Sequence, residues 1–339
     1  MAAPAVTILM TVHNAASYLR DAMGSILQQT FLDFELVVVN DGSTDATPSI
    51  LRSCADSRLT VVENETNLGL IDALNRGLEA AKGEFIARID ADDVAMPRRL
   101  QRQVDFLRKS PRTGLCGTWF RSFGGARSAV VRPPTGAEEM AAKLFHESPL
   151  AHPTVMFRRA LFAHHGLRYS YEYPHAEDFE LWTRAAQVAE LANLPEVLLR
   201  YRRHDEQVSN VRKARQDESV KKILLRQLRR IHANTTEEER EAHVAIVSNR
   251  MPDATGVKVD YVESWLRELV RRNDLAEAGF PPAAFRRAIA IVWWRYCSSR
   301  SSVPGMLRAF YSSELTRLLP LKNKLGMLAV RAKAMAARP

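Results

Sequence analysis

The feature that most constrains this chain is a regular alternation of short apolar runs and amphipathic segments over its first ninety residues. Val6–Val12 and Leu59–Val62 have the length and apolar character of strands, and Phe34–Val39 is rich in β-branched residues. Such runs are typical of parallel strands covered on both faces. Between them, Ala15–Gln29 and Gly69–Lys82 show the spacing of apolar residues that predicts helices.

A fourth apolar run, Glu84–Ile89, ends directly in Asp90-Ala-Asp-Asp93. Four strand–helix repeats predict an α/β domain of three layers with a mostly parallel central sheet. Ligands of such sheets bind beyond the carboxyl ends of the strands. That edge should carry three polar clusters: Thr11, His13 and Asn14; Asp41 and Ser43; and Asp90, Asp92 and Asp93.

No glycine-rich phosphate loop follows the first strand. Thr11–Ala16 contains no glycine, and the sequence has no GxxxxGK[ST] motif. A hydride-transferring Rossmann enzyme and a P-loop NTPase are both disfavoured. Carboxylates at a strand end would instead hold phosphates through a divalent cation. The alternative is that Asp90–Asp93 is a solvated turn that caps a helix near Pro97. Three clustered like charges at the end of a buried strand favour the cation.

Several motifs occur together in one order. They are Val6–Asn14, Val37-Val-Val-Asn-Asp-Gly-Ser-Thr-Asp45, Asn67-Leu-Gly-Leu70 with Asn75-Arg-Gly77, Gly83–Asp93 and Ala176-Glu-Asp-Phe-Glu-Leu-Trp182. This set resembles the family 2 glycosyltransferases, which have the GT-A fold, from about Val6 to about Ser209. The resemblance implies transfer of a sugar from a nucleotide donor to an acceptor, with inversion at the anomeric carbon. It also implies a GT-A catalytic domain over 1–210 and leaves 211–339 as a basic, mainly helical C-terminal region.

The resemblance assigns the nucleoside to the turns after the first two strands, through Thr11, His13, Asn14 and Asp41. Asp41 would accept a hydrogen bond from a base N–H, which uracil offers, or it would hold Gly42 and Ser43 in an Asx turn; two oxygens allow both. Many members have an arginine immediately before the asparagine that matches Asn75. Here Leu74 takes that position and Arg76 follows, so an arginine contact from this helix to the donor is left open.

The same resemblance assigns the acidic motif to the donor and its cation. Asp90 and Asp92 would contact the donor, and Asp92, Asp93 and His204 would bind Mg²⁺ or Mn²⁺; the division between ribose and metal is left open. His204 is alternatively a surface residue. Arg88 would reach a phosphate, support the acidic cluster or form a surface ion pair.

On the acceptor side, the resemblance assigns the general base to Asp178. A carboxylate at the start of a helix is favoured electrostatically, although acids in a first turn are also common without a catalytic role. Glu177 is the rival. Arg200, Arg202 and Arg203 would neutralise the leaving diphosphate. His152 would line the acceptor cleft or be a satisfied core residue.

Charge is distributed unevenly along the chain. Residues 1–200 contain 21 Lys and Arg against 24 Asp and Glu, whereas 201–339 contain 27 against 15. Residues 281–339 alone contain 11 basic residues and one acid, Glu314, beside Trp293 and Trp294. This region is either a packed helical appendage or a membrane-surface element that approaches lipid-linked acceptors.

The chain has no apolar run long enough to span a membrane, its N-terminus lacks the pattern of a signal peptide, and its three cysteines have no close spacing. We therefore expect a cytoplasmic enzyme, peripheral on the inner face of the membrane. It would use a UDP-sugar and a saccharide or lipid-linked acceptor in cell-surface polysaccharide or glycolipid synthesis. Alternatives are a nucleotidyltransferase and a non-catalytic protein acting through its basic region. No nucleic-acid-binding motif is present, and no nucleic-acid partner is expected.

Overall fold

A computed structural model describes residues 3–125, 128–204, 213–248, 258–300, 303 and 305–336, with side chains up to residue 328. The chain forms two compact units. They comprise Met1–Met140 with Ser148–Val220, and Ala141–Glu147 with Lys221–Pro339. The boundary predicted between 210 and 211 lies in 205–212, outside the described residues.

The first unit contains a sheet of nine strands within the described residues. These are β1 Val6–Val12, β2 Phe34–Asp41, β3 Leu59–Asn64, β4 Phe85–Asp90, β5 Val94–Ala95, β6 Thr113–Phe123, β7 Val130–Val131, β8 Met156–Arg158 and β9 Glu190–Arg202. Their order is β3-β2-β1-β4-β8-β6-β9-β5, with β7 paired to β6. The long ladders are all parallel, and the antiparallel ladders are short. The mostly parallel sheet predicted from the sequence is confirmed.

The four predicted strands form the parallel half of the sheet. Strands β2, β3 and β4 end at Asp41, Asn64 and Asp90, one or two residues beyond the apolar runs. The extra residues are polar but keep the backbone pairing, since Asp41 pairs with Asn64 and Asp90 with Thr11. Polar side chains at the ends of these strands therefore lie at the carboxyl edge of the sheet.

Helices cover both faces of this half. The helices of the first unit are α1 Leu19–Leu27, α2 Thr47–Arg52, α3 Leu70–Ala80, α4 Arg99–Lys109, α5 Ala137–Lys143 (which continues into the second unit), a 3₁₀ turn His152–Thr154, α6 Arg159–His164 and α7 Glu177–Ala185. Ile8 and Met10 of β1 share one core with Leu19 and Leu100. On the opposite face, a Cβ atom at Gly77 would lie 2.0 Å from Leu9 Cδ1. Because alternate residues of a strand point to opposite faces, the sheet is the middle of three layers.

The second unit is helical in its described residues. Its helices are the end of α8 Lys213–Arg229, then α9 Glu237–Val247, α10 Val259–Leu275, α11 Pro282–Ser299, α12 Met306–Ser312, α13 Glu314–Arg317 and α14 Leu321–Ala336. Thr236 begins α9 with a capping box to Glu239. Phe145 packs edge-on against Phe280 and Phe285. The C-terminal helical appendage predicted from the sequence is confirmed.

The two tryptophans of α11 differ in environment. Trp293 is fully buried, and its indole N–H donates to Thr316 Oγ1 (3.2 Å), whereas Trp294 is half-buried. Of the two interpretations for this helix, the packed core therefore describes Trp293. No helix among the described residues has the length and apolar character needed to cross a membrane.

Candidate active site

The polar ends of three neighbouring strands meet at one edge of the sheet. Thr11 on β1 pairs with Asp90 on β4 and with Val39 on β2, and Asp41 lies two residues further along β2. Parallel pairing brings residues that are about eighty positions apart into one region. The first two predicted clusters and the acidic motif therefore share this edge.

The loop after β1 is fixed to the loop after β2. The Nδ1 atom of His13 donates to the backbone carbonyl of Asp41 (2.7 Å), because a carbonyl can only accept. Asn14 has a left-handed backbone (φ 52°), which asparagine tolerates better than most residues. Its backbone N–H donates to Ser43 Oγ (3.0 Å), and its side-chain oxygen accepts from the Thr44 N–H (2.9 Å). His13 and Asn14 are exposed, so they form a fixed polar rim.

Asp41 is buried and already well supplied with donors. Its Oδ1 accepts from Asn64 Nδ2 (2.7 Å) and the Leu68 N–H (2.9 Å), and its Oδ2 accepts from the Gly69 N–H (2.9 Å). A carboxylate has roughly four lone-pair positions, so capacity remains for one further donor. The carboxylate also holds the segment that opens α3.

The backbone N–H of Ser43, which an Asx turn of Asp41 would use, bonds to the neighbouring residue Asn40 instead. The Ser43 N–H donates to Asn40 Oδ1 (3.3 Å), so that alternative is wrong for Asp41. Arg76 donates to the Oδ1 atom of Asn64. The arginine of α3 thus contacts Asp41 through Asn64. Sequence reasoning missed Asn64, although its place at the end of the third strand was a usable signal.

Asp90, Asp92 and Asp93 form one cluster. A ligand oxygen from each carboxylate lies within 4.8 Å of the others. The side chains of Asp90 and Asp92 are 31% and 22% exposed, whereas Asp93 is fully buried. The cluster therefore opens to solvent through Asp90 and Asp92, with Asp93 behind them.

The end of β9 returns to this cluster. His204 Nε2 lies 2.9 Å from Asp92 Oδ2. The Arg202 backbone N–H donates to Asp93 Oδ1 (2.8 Å), and the Arg202 guanidinium donates to the Asp92 carbonyl (2.8 Å). The structure thus places all three residues predicted as metal ligands, Asp92, Asp93 and His204, side by side.

The donor set fits a hard divalent cation. Asp93 Oδ2 is buried and has no hydrogen-bond partner among the described residues. Burial raises the pKa of Asp93 well above its usual range, and repulsion from the charges of Asp90 and Asp92 raises it further. A buried carboxylate oxygen without a donor is costly unless a proton or cation meets it. Carboxylate oxygens at this spacing are ligands that suit Mg²⁺ and Mn²⁺.

Arg88 lies at the centre of the buried charges. It is 3% exposed, and its guanidinium forms an ion pair with Asp90. Its Nε and Nη1 atoms have no hydrogen-bond partner among the described residues. Burial opposes its charge, but Asp90 raises the pKa of Arg88 above its ordinary value. The surface ion pair considered for Arg88 is therefore wrong, while support of the acidic cluster fits.

A second buried arginine, missed in the sequence, fixes the first. Arg99 donates to the backbone carbonyl of Arg88 (2.7 Å) and to Gln103 Oε1 (3.0 Å). Burial lowers the pKa of Arg99 to about 10, so it stays charged at neutral pH. Gln103 in turn donates to the carbonyls of Cys116 and Thr154. An arginine inside an amphipathic helix gives no sequence signal for this role.

Asp178 and Glu177 begin helix α7 and share this environment. Burial raises the pKa of Asp178, although the Phe179 N–H (2.7 Å from Oδ1) and Arg88 lower it in part. Burial and the charge of Asp178 raise the pKa of Glu177 to about 7. Glu177 is 5% exposed and Asp178 is half-buried. The more accessible carboxylate is therefore Asp178.

His152 is a core residue at the rim of this group. Its Nε2 lies 2.8 Å from the Tyr169 hydroxyl, and its ring packs edge-on against Trp182. Burial lowers the pKa of His152 well below its usual range, so the ring is neutral. The Asn75 side chain donates to the backbone carbonyl of Tyr169 and accepts from its backbone N–H, each at 3.0 Å. The satisfied-core alternative describes His152.

The arginines of the last strand have different environments. Arg202 contacts the acidic cluster and also lies over the Tyr18 ring. Arg200 is exposed and stacks on Phe123. The Arg203 N–H donates to the Phe123 carbonyl (2.8 Å). Of the three predicted cations, Arg202 has the described contact with the acids.

An acidic cluster at the carboxyl edge of a mostly parallel sheet, closed by a later strand, fits a glycosyltransferase of the GT-A fold. The family model for glycosyl transferase family 2 matches residues 7–166. This chain belongs to the family 2 glycosyltransferases. An uncharacterized glycosyltransferase of Haemophilus influenzae is 32% identical over 232 residues, which are 65% of this chain and 72% of that protein.

Two further relatives come from other bacteria. The putative glycosyltransferase EpsE of Bacillus subtilis is 34% identical over 187 residues, which cover 53% of this chain and 66% of EpsE. The amylovoran biosynthesis glycosyltransferase AmsE of Erwinia amylovora is 29% identical over 213 residues, which cover 61% of this chain and 79% of AmsE.

Solved structures share the fold at low sequence identity. TarS of S. aureus (residues 1–349) superposes with a TM-score of 0.57 at 17% identity, covering 98% of this chain and 92% of that one. It has also been solved with UDP and with UDP-GlcNAc. The mannosyltransferase PcManGT of Pyrobaculum calidifontis, solved with GDP-Man and Mn²⁺, gives a TM-score of 0.54 at 18% identity, covering 99% and 88%. These likenesses establish the GT-A architecture.

Proposed function

We propose that this enzyme transfers a hexosyl unit from a UDP-sugar to a hydroxyl of a saccharide or lipid-linked acceptor, with inversion. The observation that carries the proposal is the acidic cluster of Asp90, Asp92 and Asp93 at the edge where Thr11 and Asp41 also lie. The UDP and UDP-GlcNAc complexes of TarS support a uridine donor. The role of AmsE in amylovoran biosynthesis supports cell-surface polysaccharide or glycolipid synthesis.

The donor would lie along the polar edge of the sheet. Its base and ribose would meet the rim and the carboxylates, which are Thr11, His13, Asn14, Asp41, Asp90 and Asp92. The remaining acceptor capacity of Asp41 suits the N–H of a uracil ring. Arg88 would favour the ionised form of Asp90 and orient its carboxylate, and its two unpartnered nitrogens are donors suited to a phosphate.

Asp92, Asp93 and His204 would hold Mg²⁺ or Mn²⁺. A divalent cation held by these residues would supply positive charge to a diphosphate leaving group. Arg202 adds a fixed cation, because its backbone and guanidinium are tied to Asp93 and Asp92. No protein acid is then needed on the leaving-group side.

Asp178 would act as the general base. An inverting transfer is a single displacement, so the acceptor hydroxyl must lose its proton as it attacks from the face opposite the diphosphate. Burial raises the pKa of Asp178, which strengthens its carboxylate as a base. Its half-buried position at the start of α7 leaves it more accessible than Glu177.

We place the enzyme in the cytoplasm, peripheral on the inner face of the membrane. The 27 basic residues against 15 acids in 201–339 favour attraction to anionic lipid headgroups. Such a position would bring a lipid-linked acceptor within reach of the catalytic unit.

The test is a panel of UDP-, GDP- and dTDP-sugars, read out by release of the free nucleoside diphosphate and by calorimetric binding of each nucleotide. We expect UDP release and UDP binding that require Mg²⁺ or Mn²⁺ and disappear with excess chelator. NMR of the product anomer tests inversion. Turnover of GDP-sugars alone would overturn the uridine assignment, and full activity in chelator would overturn the metal.

A further inference from the structure

Helix α14 exposes an apolar stripe to solvent. Leu321, Leu325 and Leu328 are 69%, 57% and 52% exposed, and Leu318, which precedes the helix, is 41% exposed. Spacings of three and four residues place such side chains on one helical face. Met327, on another face, is fully buried. The helix is thus attached by one side and presents a row of leucines on the other.

Basic side chains border this stripe. At about 100° per residue, Lys322 and Lys324 fall on opposite sides of the row formed by Leu321, Leu325 and Leu328. Lys322 is exposed, and Lys324 Nζ, which donates to the Arg317 carbonyl (3.2 Å), is half-exposed. Residues 315–339 contain six Lys and Arg and no Asp or Glu. A leucine row between cations is the pattern of a helix that lies in a lipid interface.

The charge distribution decides between two occupants of this face. If two copies paired through the leucines, the bordering lysines would approach one another without a carboxylate in 315–339 to neutralise them, and like-charge contact is unfavourable. An anionic bilayer accepts the leucines in its apolar boundary and the lysines among its headgroups. The surface therefore complements lipid and opposes a second copy of itself.

We propose that Leu318–Leu328 binds the surface of an anionic phospholipid bilayer, with the leucines inserted and the basic residues at the headgroups. This deepens the membrane association in the proposed function, on which it rests. It assigns that association to α14 rather than to α11, whose Trp293 is buried in the helical core. The enzyme would then be held at the membrane by one short element.

The experiment measures partition of the full-length protein onto vesicles of phosphatidylglycerol mixed with phosphatidylcholine, and onto phosphatidylcholine alone. We expect partition to the anionic vesicles to be at least about tenfold stronger. The combined variant Leu321→Gln, Leu325→Gln, Leu328→Gln should weaken it by about tenfold or more. A matched control replaces three other exposed apolar residues of the second unit, as Leu275→Gln, Ile291→Gln, Val303→Gln, and should partition like wild type.

A second pair of variants tests the contribution of the lysines that border the leucine stripe. Lys322→Glu with Lys324→Glu should lower anionic-vesicle partition by about tenfold or more, whereas Lys221→Glu with Arg229→Glu, the same change in net charge on exposed positions of α8, should lower it far less. Circular dichroism confirms that each variant is folded. Equal partition of stripe and control variants would overturn the proposal. So would self-association of wild type without lipid that the stripe variant abolishes.

UDP binding by the same variants separates this inference from the proposed function. We expect the stripe and charge variants to bind UDP as wild type does. If wild type binds no nucleotide while partition still depends on the leucines, the proposed function fails and the lipid surface stands. If UDP binds but the leucines do not affect partition, the lipid surface fails and the transferase proposal stands.

Discussion

The Nε2 atom of His204 lies 2.9 Å from Oδ2 of Asp92, although the two residues are 112 positions apart. Asp92 lies in the turn after β4, and His204 lies just beyond the end of β9. The backbone of Arg202 binds Asp93 in the same place. The last strand of the sheet therefore completes an acidic cluster that the fourth strand begins, and the contact gives a direct test of the cluster's role.

We predict that Asp92→Asn lowers sugar transfer by at least about 10²-fold, the scale lost when one transition-state charge stabiliser is removed. Mn²⁺ binding in the presence of UDP, measured by calorimetry, should weaken in parallel. His204→Gln, which keeps a polar group at the position of Nε2, should also lower sugar transfer and weaken Mn²⁺ binding, but by less than Asp92→Asn. Steady-state kinetics with varied Mn²⁺ at saturating donor measure the effect of each of the two variants.

The matched control for this pair is Asp33→Asn, which changes one exposed carboxylate outside the cluster. Transfer and Mn²⁺ binding by the control should equal those of wild type. If Asp92→Asn and Asp33→Asn bind Mn²⁺ equally well, the cluster is a structural turn and not a metal site.

Asp178→Asn should retain UDP affinity while transfer falls by about 10²-fold or more, because the substitution keeps size and removes basicity. Glu177→Gln is the matched control, one residue away on the same helix. It should keep most of the transfer, since Glu177 is buried and its pKa of about 7 already favours the neutral form more than an ordinary glutamate. Calorimetry and steady-state kinetics provide the two readouts.

The opposite pattern would move the assignment of the general base. Normal transfer by Asp178→Asn with loss in Glu177→Gln would identify Glu177 as the base. Normal transfer by both variants would show that neither acid accepts the proton of the acceptor.

The parts of the site that were predictable are those written within short stretches of chain. Strands β1 to β4 were recognisable because each is a compact apolar run; Asp90 follows such a run directly, and Asp41 follows one after Asn40. The rule that parallel strands end at one edge then brings these acids together. Strand periodicity therefore predicted both the sheet and its acidic edge.

The parts that were not predictable depend on contacts between distant side chains. Arg99 supports the carbonyl of Arg88, and Arg76 reaches Asp41 through Asn64. The sequence gives no signal for the first contact, and for Arg76 it raised only a contact with the donor. Trp293 likewise gave no sequence signal that distinguished core from membrane surface. Such choices depend on tertiary packing, which periodicity alone does not specify.

The segment before Asp178 should be held in place by α8. Ser219 Oγ donates to the Pro174 carbonyl (2.8 Å), and Gln216 Nε2 donates to the His175 carbonyl (2.9 Å). His175 has a left-handed backbone (φ 65°), a conformation that surrounding contacts must maintain. We predict that Ser219→Ala combined with Gln216→Ala lowers kcat by about tenfold through misplacement of Asp178.

UDP affinity should be unchanged in that double variant, because the donor edge of the sheet lies on other elements. Lys221→Ala, an exposed position on the same helix, is the control and should retain the wild-type kcat. A fall in UDP affinity equal to the fall in kcat would mean that the two side chains support the whole unit rather than the base.

The second unit should lose stability as pH falls from about 6.5 to about 4. His243 is fully buried, and burial lowers its pKa to about 3; burial also lowers the pKa of His146 to about 4. The Trp265 indole N–H donates to Nδ1 of His243 (3.4 Å), a contact that needs the neutral ring. In this window the unfolded chain takes up protons that the folded unit refuses, so protonation favours unfolding by up to about 3 kcal/mol for each histidine. Glu147 acts at lower pH, because its pKa is lowered from 4.5 to about 2 in the folded unit, so its contribution to stability is lost as the pH falls from about 4.5 to about 2.

Hydrogen exchange of peptides within Val259–Ser299, measured across this pH range and corrected for the intrinsic exchange rate, reports the loss of stability. His243→Asn removes the titration but keeps an acceptor near Nδ1, so it should reduce the pH dependence even if the unit is less stable at neutral pH. His164→Asn, which changes an exposed histidine of the first unit, should leave the pH dependence unchanged. Because a buried neutral histidine is the proposed cause, identical pH dependence in His243→Asn and His164→Asn would rule out His243 as its source.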